Sequence, residues 1–429
     1  MQNHYFRDVD TQRTPASFGQ RLLWILDRYR GAGGALNCPM LCRLHGPLDE
    51  PRLRDALTTL AGRHESLRTT FTGRGPRLTQ VVAPPDVLPV TTTDLSGASD
   101  PETAVAEALS AELRTRIEPA QRSVRVTLWR MGPERHLLSV NAHHLVTDAW
   151  SCAVLFRELW QLYDGDAALP APHQYREFAT WQRGLEESGQ LRRHEGFWRT
   201  RLADARLPEL PAGPEPVDAG GPSGIASGHV PLRATRRLRQ LARRHQTTPF
   251  AVMLALFFAT LHDVTGQRDL TVSSVFANRS RPEHQQVVGF LANLVLLRTT
   301  VPDDGDFQDL LRATHTTVMD AFVHQALPYH MLPPSVAGNI KADELVFQML
   351  AEPAERIRAG GMEVEAFVPD GISTRYRTEL AVVPRLDGMQ VLLFHTDLEP
   401  AYARDLVDRY VRMAEQVAMA SVRESAPSR

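Results

Sequence analysis

The chain has 429 residues, 43% of them hydrophobic, which is enough for two domains with sizeable cores. Its formal net charge of −2 gives no general attraction to nucleic acid or to an anionic membrane surface. Three cysteines, Cys38, Cys42 and Cys152, supply neither an even disulfide framework nor zinc-type spacing, and they fit a reducing, cytoplasmic setting.

Met1 to Thr14 is polar and lacks the apolar core of a secretion signal, so none is expected. Gly31-Ala32-Gly33-Gly34 reads as a loop with no supporting nucleotide-binding pattern. Arg135 to Ala142 is rich in Leu and Val and reads as a strand, and Ala149 to Tyr163 has the apolar and aromatic spacing of a helix. Leu207 to Gly228, rich in Pro, Gly, Ala and acidic residues, predicts a loop. From Val230 to Leu270 the pattern runs strand, helix, helix, strand, which opens a second half. The first of those helices turns Leu238, Leu241 and Ala242 inward. It carries Arg233, Arg236, Arg237, Arg239, Arg243 and Arg244 as an expected solvated face. Thr248 and Pro249 read as the N-cap and first residue of the next helix, whose apolar run Phe250 to Leu261 is too short to span a bilayer. Asp269 to Phe276 is strand-like and leads into Asn278-Arg279-Ser280-Arg281-Pro282-Glu283.

The most informative run is His143-His144-Leu145-Val146-Thr147-Asp148-Ala149-Trp150-Ser151. It places two histidines at a strand end, just ahead of a helix. Successive strand side chains point to opposite faces, so both rings are not expected on one ligand and no metal site is expected here. One ring should face a cavity and the other pack inward. A histidine near its ordinary pKa of about 6.5 can take a proton at neutral pH, and Asp148 could orient the loop by pairing with an arginine. No phosphate loop, dinucleotide GxGxxG or G-x-S-x-G elbow is present, so neither a nucleotide cofactor nor a covalent serine mechanism is indicated.

His143 to Asp148 matches the HHxxxDG signature of condensation domains from nonribosomal peptide synthetases, members of the chloramphenicol acetyltransferase-like superfamily. Further segments are similar to that family in the same order. Ser17 to Trp24 resembles SxAQxRLW, Arg63 to Phe71 fits RHExLRTxF, and Tyr175 to Gln182 resembles YxDYAxWQ. Val288 to Asn293 resembles IGxFVNT, and His324 to Tyr329 resembles HQDYPFE. The signature glycine is replaced by Ala149, a place for either a harmless helix-start change or a reshaped acceptor channel.

The resemblance implies an α/β fold of two chloramphenicol acetyltransferase-like lobes in a V-shaped pseudo-dimer, with the active site in the tunnel between them. The lobes are expected at 1–176, carrying the histidine motif, and 177–429. It implies His144 as general base or positioning group. His143, Asp148, Arg279, Ala149 and Trp150 would support the site, with Arg63 and Asn293 as further candidates. Arg279 would pair with Asp148 across the lobes, with Arg63 and Arg68 as competing partners. Backbone N–H groups near Ala149 and Trp150 would face the oxyanion at the helix's positive end.

The activity so implied is that of a free-standing, monomeric condensation enzyme of nonribosomal peptide or hybrid natural-product biosynthesis. An acyl or aminoacyl group would pass from the phosphopantetheine arm of a carrier protein, supplied in trans, to a small-molecule or carrier-bound acceptor. The product would be an amide, or an ester if the acceptor is a hydroxyl. No cofactor would be bound, and neither nucleic acid nor membrane would be a partner. The arginine-rich helix offers an alternative role as a dock for an acidic carrier. Other readings are an acyltransferase of the same superfamily using acyl-CoA or a carrier-bound acyl donor and a free alcohol, an epimerase-like relative, and a catalytically silent carrier-binding recruitment module.

Overall fold

A computed structural model describes residues 12–29, 34, 36–166, 168–211, 224–303, 305–338, 340–350, 356–368 and 376–423. The chain is α/β and divides into two compact units, each built on a six-stranded mixed sheet among the described residues.

The first unit's sheet runs in the order Arg356–Ala359, Met362–Phe367, Asn37–His45, Arg135–His143, Val124–Gly132 and Val90–Asp94. Only Val90–Asp94 pairs in parallel, against Val124–Gly132. Arg135–His143 is central and buried from His136 onward, so both of its faces are covered. Before and beside it in the chain lie helices α1 (Phe18–Tyr29), α2 (Glu50–Arg63) and α3 (Pro101–Arg114), and after it come α4 (Ala149–Tyr163) and α5 (Tyr175–Glu187). Leu53, Leu57 and Leu60 of α2 and Val154, Leu155 and Leu159 of α4 share one core with Leu138 and Val140 of the central strand. On the other face, Val105 and Leu109 of α3 pack with Leu41, Trp129 and Leu137. Asp49 and Asp100, each ahead of a proline, cap α2 and α3 by accepting from the first backbone amides, which otherwise lack partners.

The sequence reading divides the chain at 176/177, whereas the first unit runs on to Gly189 and takes in Ala277–Ala292 and the hairpin Arg356–Phe367. The physical reason lies in its contacts. Tyr175, Phe178 and Ala179 of α5 share an apolar cluster with Val287 and Leu291, and the amide of Phe18 donates to Gln182 at 2.9 Å. Met362–Phe367 adds antiparallel to Asn37–His45, giving that strand a second neighbour.

The second unit's sheet runs Asn293–Thr300, Asp269–Phe276, Leu345–Met349, Thr378–Arg385, Gly388–His395 and Gly224–Pro231. Its helices include α6 (Leu191–Arg201), α7 (Leu232–Arg244), α8 (Pro249–Thr265), α9 (Phe307–His324) and the C-terminal Pro400–Arg423. α7 buries Leu238, Leu241 and Ala242 and leaves Arg233, Arg236, Arg243 and Arg244 exposed. Thr248 caps α8 by accepting from the Ala251 amide at 3.1 Å, and Gly266 ends it at φ 68°, a left-handed conformation glycine adopts without a steric cost. No single helix among the described residues is long and apolar enough to cross a membrane. The expected loop Leu207–Gly228 gives way to strand at Gly224, and its residues 212–223 lie outside the described residues, as do 31–33 of the glycine loop.

Candidate active site

The central strand of the first unit ends at His143, and the chain then turns tightly into α4. The amide of His144 donates to the Leu36 carbonyl at 2.8 Å, so the histidine pair is still tied to the neighbouring strand. His143 is buried. Its Nδ1 accepts from the Leu145 amide at 3.1 Å, and its Nε2 lies 3.6 Å from Asp27 Oδ1. Burial alone would raise the Asp27 carboxyl, but His143 and Arg116 together hold it below the usual carboxylate range. His143 is thus hydrogen-bonded through Nδ1, with Nε2 buried near the Asp27 carboxylate but outside hydrogen-bond distance, in the inward-packing role.

His144 is half-buried, and its Nδ1 lies 2.8 Å from the Thr147 carbonyl oxygen. A carbonyl only accepts, so Nδ1 carries the proton, and in the neutral ring the lone pair sits on Nε2. The ring stands edge-on to Phe290, with centroids 5.3 Å apart. One histidine therefore packs inward at the turn, while the other is held by the Thr147 carbonyl in the tautomer with the proton on Nδ1. Among the described residues no group of three or more His, Cys, Asp or Glu side chains could hold a metal ion.

Asp148 is the N-cap of α4, where a carboxylate meets orphan amides and the positive end of the helix. Its Oδ1 accepts from the Ser151 amide at 2.8 Å and from the Ser151 hydroxyl at 2.7 Å. Arg279 reaches both oxygens, Nη1 to Oδ2 at 2.9 Å and Nη2 to Oδ1 at 3.1 Å. The amides of Leu291 and Ala292 donate to Oδ2 at 3.1 and 3.2 Å. Burial would push this carboxyl up, but Arg279, Ser151 and their hydrogen bonds outweigh it and hold it low. The expected Asp148–Arg279 pair forms, yet it is not a bridge between units. The segment Ala277–Ala292 belongs to the same unit as Asp148. Asn278, at φ 54°, turns the backbone just before Arg279, a conformation asparagine tolerates better than most residues.

Ala149 is the exposed first residue of α4 and is not among the residues with positive φ, so the backbone there does not require the family's glycine. Trp150, half exposed, donates its Nε1 to the Gln285 carbonyl at 2.8 Å, and the Arg279 guanidinium lies 5.7 Å from its ring centroid. Arg63 is elsewhere in the unit. It donates to Glu158 at 2.9 Å and to the carbonyls of Leu169 and Pro170, because the α2–α4 contact supplies a carboxylate closer to hand than Asp148. Arg68 likewise serves backbone carbonyls, those of Ala61 and Ala83. Asn293 belongs to the second unit and donates to the Gln325 carbonyl at 2.6 Å.

Reasoning from the sequence overlooked several residues that build this turn. Ser151 joins the carboxylate to the Gly289 amide, which donates to its hydroxyl at 3.0 Å. Gln20 donates to the Leu145 carbonyl at 3.0 Å and braces the turn from α1. Tyr175 sits 2.7 Å from the Ser17 hydroxyl and donates to the Phe290 carbonyl at 2.7 Å. Gly289 has no room for a side chain, since a Cβ would overlap the Tyr175 ring. A Cβ on Gly19 would lie 2.8 Å from Phe290. The available signal was the motif pattern itself: Ser17, Gln20, Tyr175 and Gly289 are fixed letters of segments that converge on one loop.

A sequence model of the condensation domain matches residues 10–419. The chain belongs to the condensation-domain family. It is 33% identical over 410 residues to nonribosomal peptide synthetase kk1B of Curvularia clavata, covering 91% of this chain and 3% of that protein. It is 35% identical over 342 residues to phosphinothricin tripeptide synthetase PhsC of Streptomyces viridochromogenes, covering 76% of this chain and 31% of that protein. This condensation-family chain therefore spans only a small part of the curated relatives it matches. Among solved structures it is similar to SgcC5 of Streptomyces globisporus, at a TM-score of 0.76 and 26% identity, covering 94% of this chain and 98% of that one. The condensation domain of the monacolin K polyketide synthase MokA shares the fold at a TM-score of 0.81 and 23% identity, covering 95% and 98%.

Proposed function

We propose that this condensation-family chain is an acyltransferase of nonribosomal peptide or hybrid natural-product biosynthesis. It passes an acyl or aminoacyl group from a carrier-protein thioester to an amine. The amine nitrogen attacks the thioester carbonyl, the C–N bond forms, and the C–S bond breaks to release the phosphopantetheine thiol. The proton lost by the amine goes to His144 Nε2 and from there to the departing sulfur. The observation that carries this reading is the His144 Nδ1–H bond to the Thr147 carbonyl, which leaves the lone pair on Nε2. A thioester is already activated, so positioning and one proton transfer make up most of the task. The backbone N–H groups that open α4, at Ala149 and Trp150, are the proposed donors to the oxyanion. Asp148 and Arg279 hold that turn and are assigned a supporting role.

A hydroxyl acceptor, giving an ester, is the second reading. The structure of SgcC5 is of a complex with a naphthyl 1,2-ethanediol, a molecule carrying two hydroxyl groups. The deciding experiment supplies acyl- and aminoacyl-loaded carrier protein as a separate chain, with amines and with alcohols, and reads products by mass spectrometry. Amide formation abolished by His144→Ala supports the first reading, and ester formation the second. Carrier binding without either product would leave a recruitment module in their place.

A further inference from the structure

Two thiols meet beside the histidine turn. Cys38 lies near the start of the strand Asn37–His45, opposite Ala142, and Cys152 lies in the first turn of α4. Their sulfurs are 3.8 Å apart, and both residues are partly accessible. The third cysteine, Cys42, is buried, and burial pushes its thiol up to about 12, which keeps it protonated and inert. Cysteines that only pack behave as small apolar side chains. Two that face each other can also react, the sulfurs closing from 3.8 Å to the S–S bond length of about 2.05 Å.

We propose that Cys38 and Cys152 are a reversible oxidation site, closed to a disulfide by a hydroperoxide, and that closing it loosens the hold of Thr147 on His144. The coupling runs through one residue. Cys152 Sγ lies 3.8 Å from Thr147 Oγ1, and the Thr147 carbonyl accepts from His144 Nδ1 at 2.8 Å. Bond formation draws the Cys152 sulfur toward Cys38 and away from the Thr147 hydroxyl. The strand that carries Cys38 also faces the histidines, with Asn37 opposite His143 and the Leu36 carbonyl accepting from His144. A covalent tie therefore joins the elements on either side of the turn.

The chemistry balances. The Cys152 thiolate attacks a peroxide oxygen, the O–O bond breaks, and a sulfenic acid forms as the alcohol or water leaves with the thiol proton. Cys38 sulfur then displaces hydroxide from Cys152, the S–S bond forms, and the hydroxide leaves as water with the Cys38 proton. Two thiols are oxidised and one peroxide is reduced. Hydrogen bonds from Cys38 and from the Thr147 hydroxyl hold the Cys152 thiol below its ordinary value, which favours the attacking thiolate.

The effect on turnover rests on the proposed role of His144, whereas the disulfide and the change at the ring do not. The test treats the full chain with hydrogen peroxide, followed by alkylation and peptide mapping, with ¹⁵N-histidine NMR on the same samples. A Cys38–Cys152 cross-linked peptide is expected, reversed by dithiothreitol and absent from Cys38→Ser. The His144 ring signals, assigned by their loss in His144→Ala, should move on oxidation of the native chain and stay in place in Cys38→Ser. Acyl transfer should fall several-fold and recover with dithiothreitol. Over-oxidation of Cys152 without a cross-link, or a cross-link that leaves the His144 signals unmoved, would overturn the inference. Absence of acyl transfer in the reduced chain would count against the proposed function alone, because mapping and ring signals still decide the thiol pair.

Discussion

Arg279 grips Asp148 from 131 residues further along the chain, with both terminal guanidinium nitrogens on the two carboxylate oxygens at 2.9 and 3.1 Å. Both side chains are almost fully buried. Such a pair is costly to desolvate, and its net contribution to stability is small next to the cost of breaking it. Its use here is geometric. The same carboxylate caps α4, anchors Ser151 and accepts from the backbone of Leu291 and Ala292. A single group thus fixes the helix start against the loop that carries Gly289 and Phe290.

Removing one partner should therefore be severe. Asp148→Ala leaves Arg279 as a buried uncompensated charge and should cost roughly 3–5 kcal/mol. Arg279→Ala should cost a similar amount, and the double variant less than the sum of the two. Urea unfolding of the three variants checks this. A wild-type melting curve for Asp148→Ala would show that the pair does not hold the turn.

His144→Ala should behave in the opposite way. The ring is half-buried and gives up one hydrogen bond to Thr147, worth about 1 kcal/mol. Turnover should fall by about 10²–10⁴ if Nε2 takes the proton. Product formation and thermal melting on the same preparation separate the two effects. Activity within a few-fold of wild type would restrict His144 to positioning.

Ala149 should tolerate glycine and reject valine. It is an exposed first helical residue, so Ala149→Gly should cost no more than about 1 kcal/mol and leave turnover unchanged. Ala149→Val sets a branched side chain at the start of the helix that follows the histidine turn and should block the acceptor. A fully active valine variant would place the acceptor's route elsewhere, and a glycine variant with broader acceptor use would assign the methyl a selective role.

His284 gives the unit a pH dependence of definite sign. It is buried edge-on against Phe178 and Trp181, with ring centroids at 5.1 and 4.8 Å. Burial, then the charge of Arg281, lowers its pKa to about 4; Arg279 and His173 act the same way and Glu283 opposes them. The unfolded chain protonates His284 below about 6.5, the folded chain only near 4. The stability is thus whole above about pH 6.5 and drains as pH falls toward 4, by on the order of 3 kcal/mol. The depressed Asp148 carboxyl gives way later, at still lower pH. Urea unfolding at pH 7 and pH 4.5 should show this loss in the native chain and little of it in His284→Leu. Equal losses in both would assign the acid sensitivity to another group.

Local signals in the sequence carried far. Thr248-Pro249 ahead of an apolar run specifies the start of α8, because a hydroxyl cap and a proline suit positions whose amides have no helical partner. The histidine turn was readable as strand end and helix start, and the motif pattern named both members of the buried ion pair. What the motif could not tell was which unit Arg279 joins, since that depends on Val287 and Leu291 finding Phe178. Nor did the two-sided burial of Arg135–His143 follow from its composition. It depends on α2 and α4 covering one face and α3 the other. Arg63 was misplaced for a similar reason: its carboxylate, Glu158, lies in a helix whose packing angle no local pattern reveals.

The hairpin Arg356–Phe367 makes the first unit a product of late synthesis. Its last two strands come from the last quarter of the chain, and until Met362–Phe367 arrives Asn37–His45 offers a bare edge of unpaired backbone groups. A ribosome must finish most of the second unit before the first can close its sheet. The same arithmetic governs chimeras. A recombinant half-chain ending at Gly189 would lack both the hairpin and the Arg279 loop, so an exchange of the histidine-bearing unit between relatives needs three joined segments from the same parent.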